Sequence, residues 1–255
     1  MSLKENTLFG KRDKVQESIA LLQKHAPSDK PYWLAFSGGK DSICIYRLAE
    51  MAGVDFEPHY NFTTVDPPEL VRFIKKEYPQ VAIDKPKKSM FQLIEKKGPP
   101  RRNRRWCCAE LKEKGGIGYT VITGIRAEES PRRAARAKFE PSIKNKNTWY
   151  VNPIMDWTML DIWDFIEAQG MKYCSLYDEG FDRIGCILCP MTRTVPIDKA
   201  RWPKFYNAYK HAFKRFWDKK ESLKNETRWK SFEDFWHWWL DRDAKTVDLN
   251  QQEMF

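Results

Sequence analysis

Residues 37–42 read Ser-Gly-Gly-Lys-Asp-Ser, and four of the six cysteines fall in two pairs, Cys107-Cys108 and Cys186-x-x-Cys189. Gly38 and Gly39 let the backbone come close to a ligand and adopt positive φ. A helix that starts after such a loop offers unpaired N–H groups and a partial positive charge. Ser37 and Ser42 add hydroxyls and Lys40 adds a cation, so the segment suits a phosphate or pyrophosphate. The spacing is not that of a P-loop, which needs four residues between its first glycine and Gly-Lys-Ser/Thr. An ordinary βα turn punctuated by glycine is the plainer reading. Six matched residues between a strand and a helix outweigh it.

The cysteine pairs suggest metal chemistry. Cys-x-x-Cys at a turn sets two thiolates near one metal, and a second pair can complete a four-thiolate site. Zinc is the commonest occupant of such sites, although adjacent cysteines depart from the usual two-residue spacing. Unligated or redox-active thiols are the remaining reading. Cys44 and Cys174 read as small buried hydrophobes. The loop Arg101-Arg102-Asn103-Arg104-Arg105-Trp106 precedes the first pair. Its charge would stabilise thiolates, or grip nucleotide phosphates or a nucleic-acid backbone. Arg126, Arg132, Arg133 and Arg136 form a second basic set. A helix there would show Arg132 and Arg136 on one face, and a solvated arginine face is the plain alternative for 132–138. Arg126 follows Gly124 at a strand end, the usual ligand edge of an α/β sheet.

These residues share one stretch of unusual charge. The 255 residues carry 45 Lys and Arg against 35 Asp and Glu. Residues 85–146 hold 18 basic and 6 acidic residues, so that quarter supplies the whole excess. An anion or anionic surface is expected to face it. At 42% hydrophobic and 14% aromatic the chain can bury a sizeable core. No apolar run is long enough for a transmembrane helix, and the first residues lack the apolar stretch of a signal peptide. A cytoplasmic location, with reduced thiols and no membrane partner, is the expectation.

The elements that must position these residues follow from periodicity. Apolar spacing predicts a helix over 11–25, then a buried strand over 32–36 running into the glycine loop. A helix over 43–51 stops at Gly53. A strand is expected over 56–62, and Pro67 and Pro68 suit the first turn of a helix reaching Tyr78. A strand over 81–83, a helix over 89–97 capped by Ser89, and strands over 119–123 and 150–154 follow. Alternating strands and helices imply a parallel five-stranded α/β sheet. Beyond it, helices are expected over 157–168, 199–220 and 231–242. The stripes Trp202, Phe205, Tyr209, Phe213 and Phe232, Phe235, Trp236, Trp239 favour core packing over base stacking. His25, His59, His211 and His237 share no spacing, and no hydrolase triad is evident.

The glycine loop resembles the pyrophosphate loop of the adenine nucleotide α-hydrolase superfamily, and within it the phosphoadenosine phosphosulfate (PAPS) reductase family. Thr64-Val65-Asp66-Pro67-Pro68-Glu69-Leu70 is similar to that family's segment after the second strand, where an acidic residue lies near the nucleotide. Gly124-Ile125-Arg126-Ala127-Glu128-Glu129-Ser130, with Arg132 and Arg133, resembles its arginine-bearing anion segment. Asn152-Pro153-Ile154 with Trp157, Asp161 and Trp163, then Leu176-Tyr177, Gly180-Phe181 and the residues 184–190 around Cys186 and Cys189, complete the series. The resemblance spans about residues 30–195. It implies a Rossmann-like fold with C-terminal helices packed on it, divided as a nucleotide-binding domain over 1–195 and a helical extension over 196–255.

The resemblance also implies roles. Ser37, Gly38, Gly39, Lys40, Asp41, Ser42, Gly124, Arg126, Arg132 and Arg133 would bind the nucleotide, and Lys40, Asp41, Asp66 and Arg126 would act in catalysis. The cysteine pairs are similar to the iron–sulfur arrangement of adenylylsulfate reductases. Cys107, Cys108, Cys186 and Cys189 would then hold a 4Fe–4S cluster, whose four iron corners allow vicinal thiolates to take different irons. Zinc stays the alternative. One implied reaction uses ATP, with Asp41 helping to hold Mg²⁺ and Lys40 neutralising the pyrophosphate. It would yield an adenylated acceptor, with tRNA or DNA as the macromolecular partner and a further protein as sulfur or electron donor. A second is reduction of adenylyl sulfate or its 3′-phosphorylated form. Those reductases carry a nucleophilic cysteine in a Glu-Cys-Gly motif near the C-terminus, whereas here the last cysteine is Cys189 and the residues 248–255 hold none. A non-catalytic nucleotide- or nucleic-acid-binding module is the third.

Overall fold

The computed structural model describes residues 3–7, 10–192, 194–220 and 229–241. In chain order the elements are β1 (Lys4–Thr7), β2 (Gly10–Asp13), α1 (Lys14–Lys24), β3 (Tyr32–Phe36), α2 (Lys40–Ala52), β4 (Phe56–Asn61), α3 (Pro68–Glu77) and β5 (Ala82–Asp84). Next come α4 (Met90–Lys97), α5 (Trp106–Leu111), β6 (Thr120–Ile122), α6 (Pro131–Ala134), β7 (Phe139–Pro141) and β8 (Trp149–Val151). The last are α7 (Met159–Ala168), α8 (Val195–Arg201), α9 (Pro203–Lys219) and α10 (Phe232–Leu240). Among the described residues, no helix is long and apolar enough to cross a membrane.

The chain divides into two compact units. The first is Met1–Pro86 with Leu111–Gly185, and the second is Lys87–Glu110 with Cys186–Phe255. The first unit is built on a six-stranded sheet of order β5-β4-β3-β6-β8-β7. Its strands are parallel except β7, which runs antiparallel to β8. Five parallel strands were expected, and β7 is the addition. Its three residues, Phe-Glu-Pro, form too short a run to announce a strand, and proline is tolerated at an edge, where its missing N–H costs no ladder bond. A small β1–β2 hairpin also precedes the sheet. It shortens the expected first helix to α1, which Asp13 caps by accepting the Val15 and Gln16 amides.

One face of β3 is apolar and covered. Tyr32, Leu34 and Phe36 are buried, and Tyr32 donates its hydroxyl hydrogen to the Leu22 carbonyl of α1 at 2.8 Å. Helix α2 packs on α1 and on α7 over this face. On the opposite face Trp33 stacks on His59, with ring centroids 3.3 Å apart. Lys14, at the start of α1, reaches Asp161 in the first turn of α7 at 2.7 Å, and both side chains are shielded. Asp161 also completes a capping box with Thr158.

The second unit is helical. Helix α4 starts with a full capping box between Ser89 and Gln92. A single helix was expected over 199–220, but α8 ends at Arg201 and α9 begins at Pro203. Proline has no N–H to donate and is at home in a first turn, so it divides the run. The C-terminal aromatics are core: Tyr209, Phe213, Phe235, Trp236 and Trp239 are buried. Trp239 Nε1 donates to the Pro100 carbonyl at 2.7 Å, and Trp236 Nε1 to the Tyr206 hydroxyl at 3.1 Å. Arg242, the expected end of α10, and the tail 248–255 lie outside the described residues.

The Lys14–Asp161 pair offers a test of this packing. Burial raises the Asp161 carboxyl, but the hydrogen bonds from Lys14 and Thr158 outweigh it and hold the group below the usual range. Lys14→Ala strands that carboxylate and is expected to cost about 3 kcal/mol at pH 7, read from urea unfolding. A depressed carboxylate stabilises above its unfolded pKa, so the difference should shrink as pH falls below about 4.

Candidate functional site

The strand order reverses between β3 and β6, so the chain leaves these neighbouring strands toward opposite wings of the sheet. Such a switch point opens a crevice at the carboxyl ends of the strands. The loop after β3 is the Ser-Gly-Gly-Lys-Asp-Ser segment, and the loop after β6 carries Gly124 and Arg126. The two loops approach closely. A Cβ on Gly124 would lie 3.2 Å from the Asp41 carbonyl carbon and oxygen. Only glycine gives that clearance without displacing the backbone.

Within the first loop, Gly38 takes φ +72, and a Cβ there would meet Ile74 at 2.7 Å. Gly39 is the N-cap of α2 and contributes no side chain to cap it. The Ser42 and Ile43 amides donate to the Gly39 carbonyl at 2.9 and 3.1 Å, and the partial positive charge of the helix terminus faces the loop. Ser37 and Ser42 hydroxyls lie 3.2 Å apart, and Ser42 donates to the Gly39 carbonyl at 2.8 Å. The Lys40 amide donates to the Tyr177 hydroxyl at 2.9 Å. The Lys40 ammonium donates to the Asp182 carbonyl at 2.7 Å and lies over the Tyr177 ring. Lys40 is buried, and burial lowers its pKa, with Asp41 pulling the other way.

Arg126 is 2% exposed. Its Nε donates to Asp41 Oδ1 at 2.6 Å and its Nη1 to Glu128 Oε2 at 2.5 Å. Its own amide donates to Glu129 Oε2 at 3.0 Å. The arginine therefore holds the loop's carboxylate in place, with two acids balancing it. Arg133 pairs with Glu129 and Arg136 with Glu140. Helix α6 is one turn and ends at Ala134, so the face shared by Arg132 and Arg136 does not form. Burial, then Arg183, push the Arg133 guanidinium down, and Arg126 and Arg136 add to this. Several cations thus crowd around Asp41. Asp66 is buried and its Oδ2 accepts the Thr63 amide at 2.7 Å, closing the turn after β4 in which Thr64 takes φ 68. Asn152 is fully buried. It accepts from Thr123 at 2.5 Å and donates to the Ala137 carbonyl at 2.8 Å, which fixes the strand ends beneath the second loop.

Sequence reasoning gave no role to Tyr177, Glu128 or Arg183. The Leu176-Tyr177 motif was a signal for the first. Burial raises the Tyr177 phenol, so its O–H persists at neutral pH while its oxygen accepts the loop amide. The acids Glu128 and Glu129 beside the arginines were the signal for charge balance.

The four cysteines of the two pairs all belong to the second unit. Cys107 is buried in α5, and its thiol is pushed far up by its hydrogen bond with Cys108, then by burial, then by the charges of Cys108, Cys186 and Cys189. The thiols therefore feel one another. Arg105 donates to Cys108 Sγ at 3.4 Å. The Cys189 amide donates to the Cys186 carbonyl at 3.2 Å, forming a turn in which Leu188 takes φ 55. Leu188 is fixed by its amide, which donates to Asp198 at 2.7 Å. Among the described residues no three His, Cys, Asp or Glu side chains are placed to hold a metal ion. The expected four-thiolate ligand set is therefore not assembled among the described residues. Cys44 and Cys174 are buried elsewhere, in the first unit.

The chain was compared with known proteins. The family model described as the phosphoadenosine phosphosulfate reductase domain matches residues 31–192. An uncharacterized protein of Methanocaldococcus jannaschii is 29% identical over 89% of this chain and 60% of its own length. A second from that organism is 28% identical over 74% of this chain. The chain spans 60% and 43% of these two relatives. The adenosine 5′-phosphosulfate reductase of Staphylococcus haemolyticus is 26% identical over 63% of this chain and 70% of its own length. The crystal structure of phosphoadenylyl-sulfate reductase from Candida auris is 20% identical, covers 67% of this chain and 88% of that one, and has a TM-score of 0.51, a likeness of fold. With more than half of its length matched by the family model, the chain belongs to the phosphoadenosine phosphosulfate reductase family.

Proposed function

We propose that the chain is an adenine-nucleotide-dependent enzyme whose 37–42 loop takes the β,γ-pyrophosphate of ATP and whose product is an adenylated acceptor. The observation that carries this reading is the approach of the two loops at the switch point, with Asp41 seated on Arg126. The acceptor's nucleophile forms a bond to the α-phosphorus as the bond to pyrophosphate breaks, and pyrophosphate leaves with the electron pair. The α2 N-terminus, Lys40 and the guanidinium groups around Asp41 supply a preorganised positive field where that charge develops. The Ser37 hydroxyl and the Tyr177 O–H can donate to phosphate oxygens, Ser42 holds the loop through the Gly39 carbonyl, and Arg132 and Arg133 extend the cationic edge. Asp41 Oδ1 is engaged by Arg126, so Mg²⁺ arriving with the nucleotide would use Oδ2. Asp66 shapes the loop after β4.

Cys107, Cys108, Cys186 and Cys189 would hold the 4Fe–4S cluster. The mutual influence of their thiols and the Arg105 contact fit an anionic four-thiolate donor set, which needs a cation to offset its repulsion. When bound, the cluster would supply electrons or a sulfur site. A second reading, reduction of a sulfonucleotide, is favoured by the named reductases among the relatives.

Pyrophosphate release from ATP, measured with tRNA and with DNA as separate acceptors, tests the choice. Acceptor-stimulated release is expected. Thioredoxin-dependent sulfite production without it would transfer the assignment to the second reading, and no turnover in either assay would leave a binding module. Asp41→Asn should reduce the release rate about 100-fold, the scale of losing one preorganised charge contact. Arg126→Met should weaken ATP binding at least tenfold. Lys144→Met, which removes an exposed lysine paired with Glu113, should leave it unchanged. Equal effects would return the basic stretch to a solvated face. Protein purified without oxygen should show a visible absorption band that Cys186→Ser abolishes. A colourless protein with stoichiometric zinc would replace the cluster by that metal.

A further inference from the structure

The second unit holds a cavity of about 280 Å³ lined by Lys96, Lys97, Arg104, Trp106, Phe216 and Lys220. Four of the six lining residues are cations and the other two are aromatic. Among the described residues no carboxylate lines it. Among the nearby acids, Glu110 pairs with Lys97 of the lining, and Glu95 with Arg215 and Lys219 outside it. One wall is fixed by the backbone, since Gly98 takes φ +77 and a Cβ there would lie 2.8 Å from the Phe216 ring. The Trp106 indole N–H is buried with no hydrogen-bond partner among the described residues. A buried donor without an acceptor is uncommon and costs free energy.

A solvated lysine face would not line a cavity with an indole and a phenyl ring. A bare phosphate would satisfy the cations and leave the rings unused. A nucleotide unit uses both, its base against an aromatic ring and its phosphate among the lysines. Arg101, Arg102 and Arg105 continue the positive charge beyond the cavity, which favours a polymer over a single nucleotide. A duplex would keep its bases stacked and away from the rings. We propose that this pocket docks single-stranded nucleic acid, with one base on Trp106 and adjacent phosphates on Lys96, Arg104 and Lys220. The proposal goes beyond the nucleotide reading of the first unit and stands without it.

The test is fluorescence anisotropy of the full chain with labelled single-stranded oligo-dT and oligo-rU over a salt series. Micromolar or tighter binding to either is expected, falling steeply with salt. Lys96→Ala/Lys220→Ala, two exposed positions, should weaken binding about tenfold and lower the log–log salt slope by about 1.4, two phosphate contacts on a single strand. Trp106→Ala should weaken it at least fivefold, and Trp106→Phe, which keeps a ring and loses the N–H, by less. Thermal unfolding of each variant separates these effects from misfolding. The proposal is overturned if neither oligonucleotide binds, if the double variant keeps the wild-type slope, or if a duplex or polyglutamate binds as tightly as the single strands. Binding of a fluorescent ATP analogue is followed in parallel. Oligonucleotide binding lost with analogue binding retained sinks this pocket alone. The reverse sinks only the ATP reading.

Discussion

The contact between Arg126 and Asp41 ties together the two loops that leave the sheet at its switch point. It exists because β3 and β6 are neighbours although they are far apart in sequence, and because Gly124 leaves room for the Asp41 backbone. A guanidinium so shielded must be matched by negative charge, and Asp41 and Glu128 supply it. Asn152 then fixes the strand ends underneath, and Asp66 closes the adjacent turn. The site is thus a set of loops whose positions are set by buried polar bonds, while the apolar sheet face against α1 and α2 provides the fixed base.

The second unit obeys a different logic. Its helices bury an aromatic core, and the buried indole N–H groups of Trp236 and Trp239 find acceptors within it. Trp106 does not. The same unit gathers the two cysteine pairs and the arginine run, so the charge excess of residues 85–146 is shared between both units instead of forming one face of one domain. In the first unit the arginines are largely matched by acids. In the second, four cations and no carboxylate line the cavity among the described residues, with Lys97 paired to Glu110 beside it.

Much of the framework was legible in the sequence. Period-two and period-3.6 patterns located β3, β4, α2, α3, α7 and α10 to within a few residues. Glycine and proline punctuation located the loops between them. The elements missed were β7, α5, α6 and the β1–β2 hairpin, all six residues or shorter, too short for periodicity to register. The Pro203 break was written in the sequence but was overridden by a continuous aromatic stripe.

The sequence by itself determined the order of strands and helices, the place of the glycine loop between a strand and a helix, the existence of two cysteine pairs and the membership of the C-terminal aromatics in a core. These depend on local backbone preference and on which side chains must leave water, and both are properties of short segments. Only the tertiary structure decided what each charged residue faces. Arg126 reads as an anion grip in one dimension, and the fold adds that its guanidinium is buried against Asp41 and Glu128. Tyr177 has no evident role until its hydroxyl is seen on the Lys40 amide. Electrostatic partnership depends on distance through space, and residues 85 positions apart in the chain can meet at 2.6 Å only when the sheet brings their strands side by side.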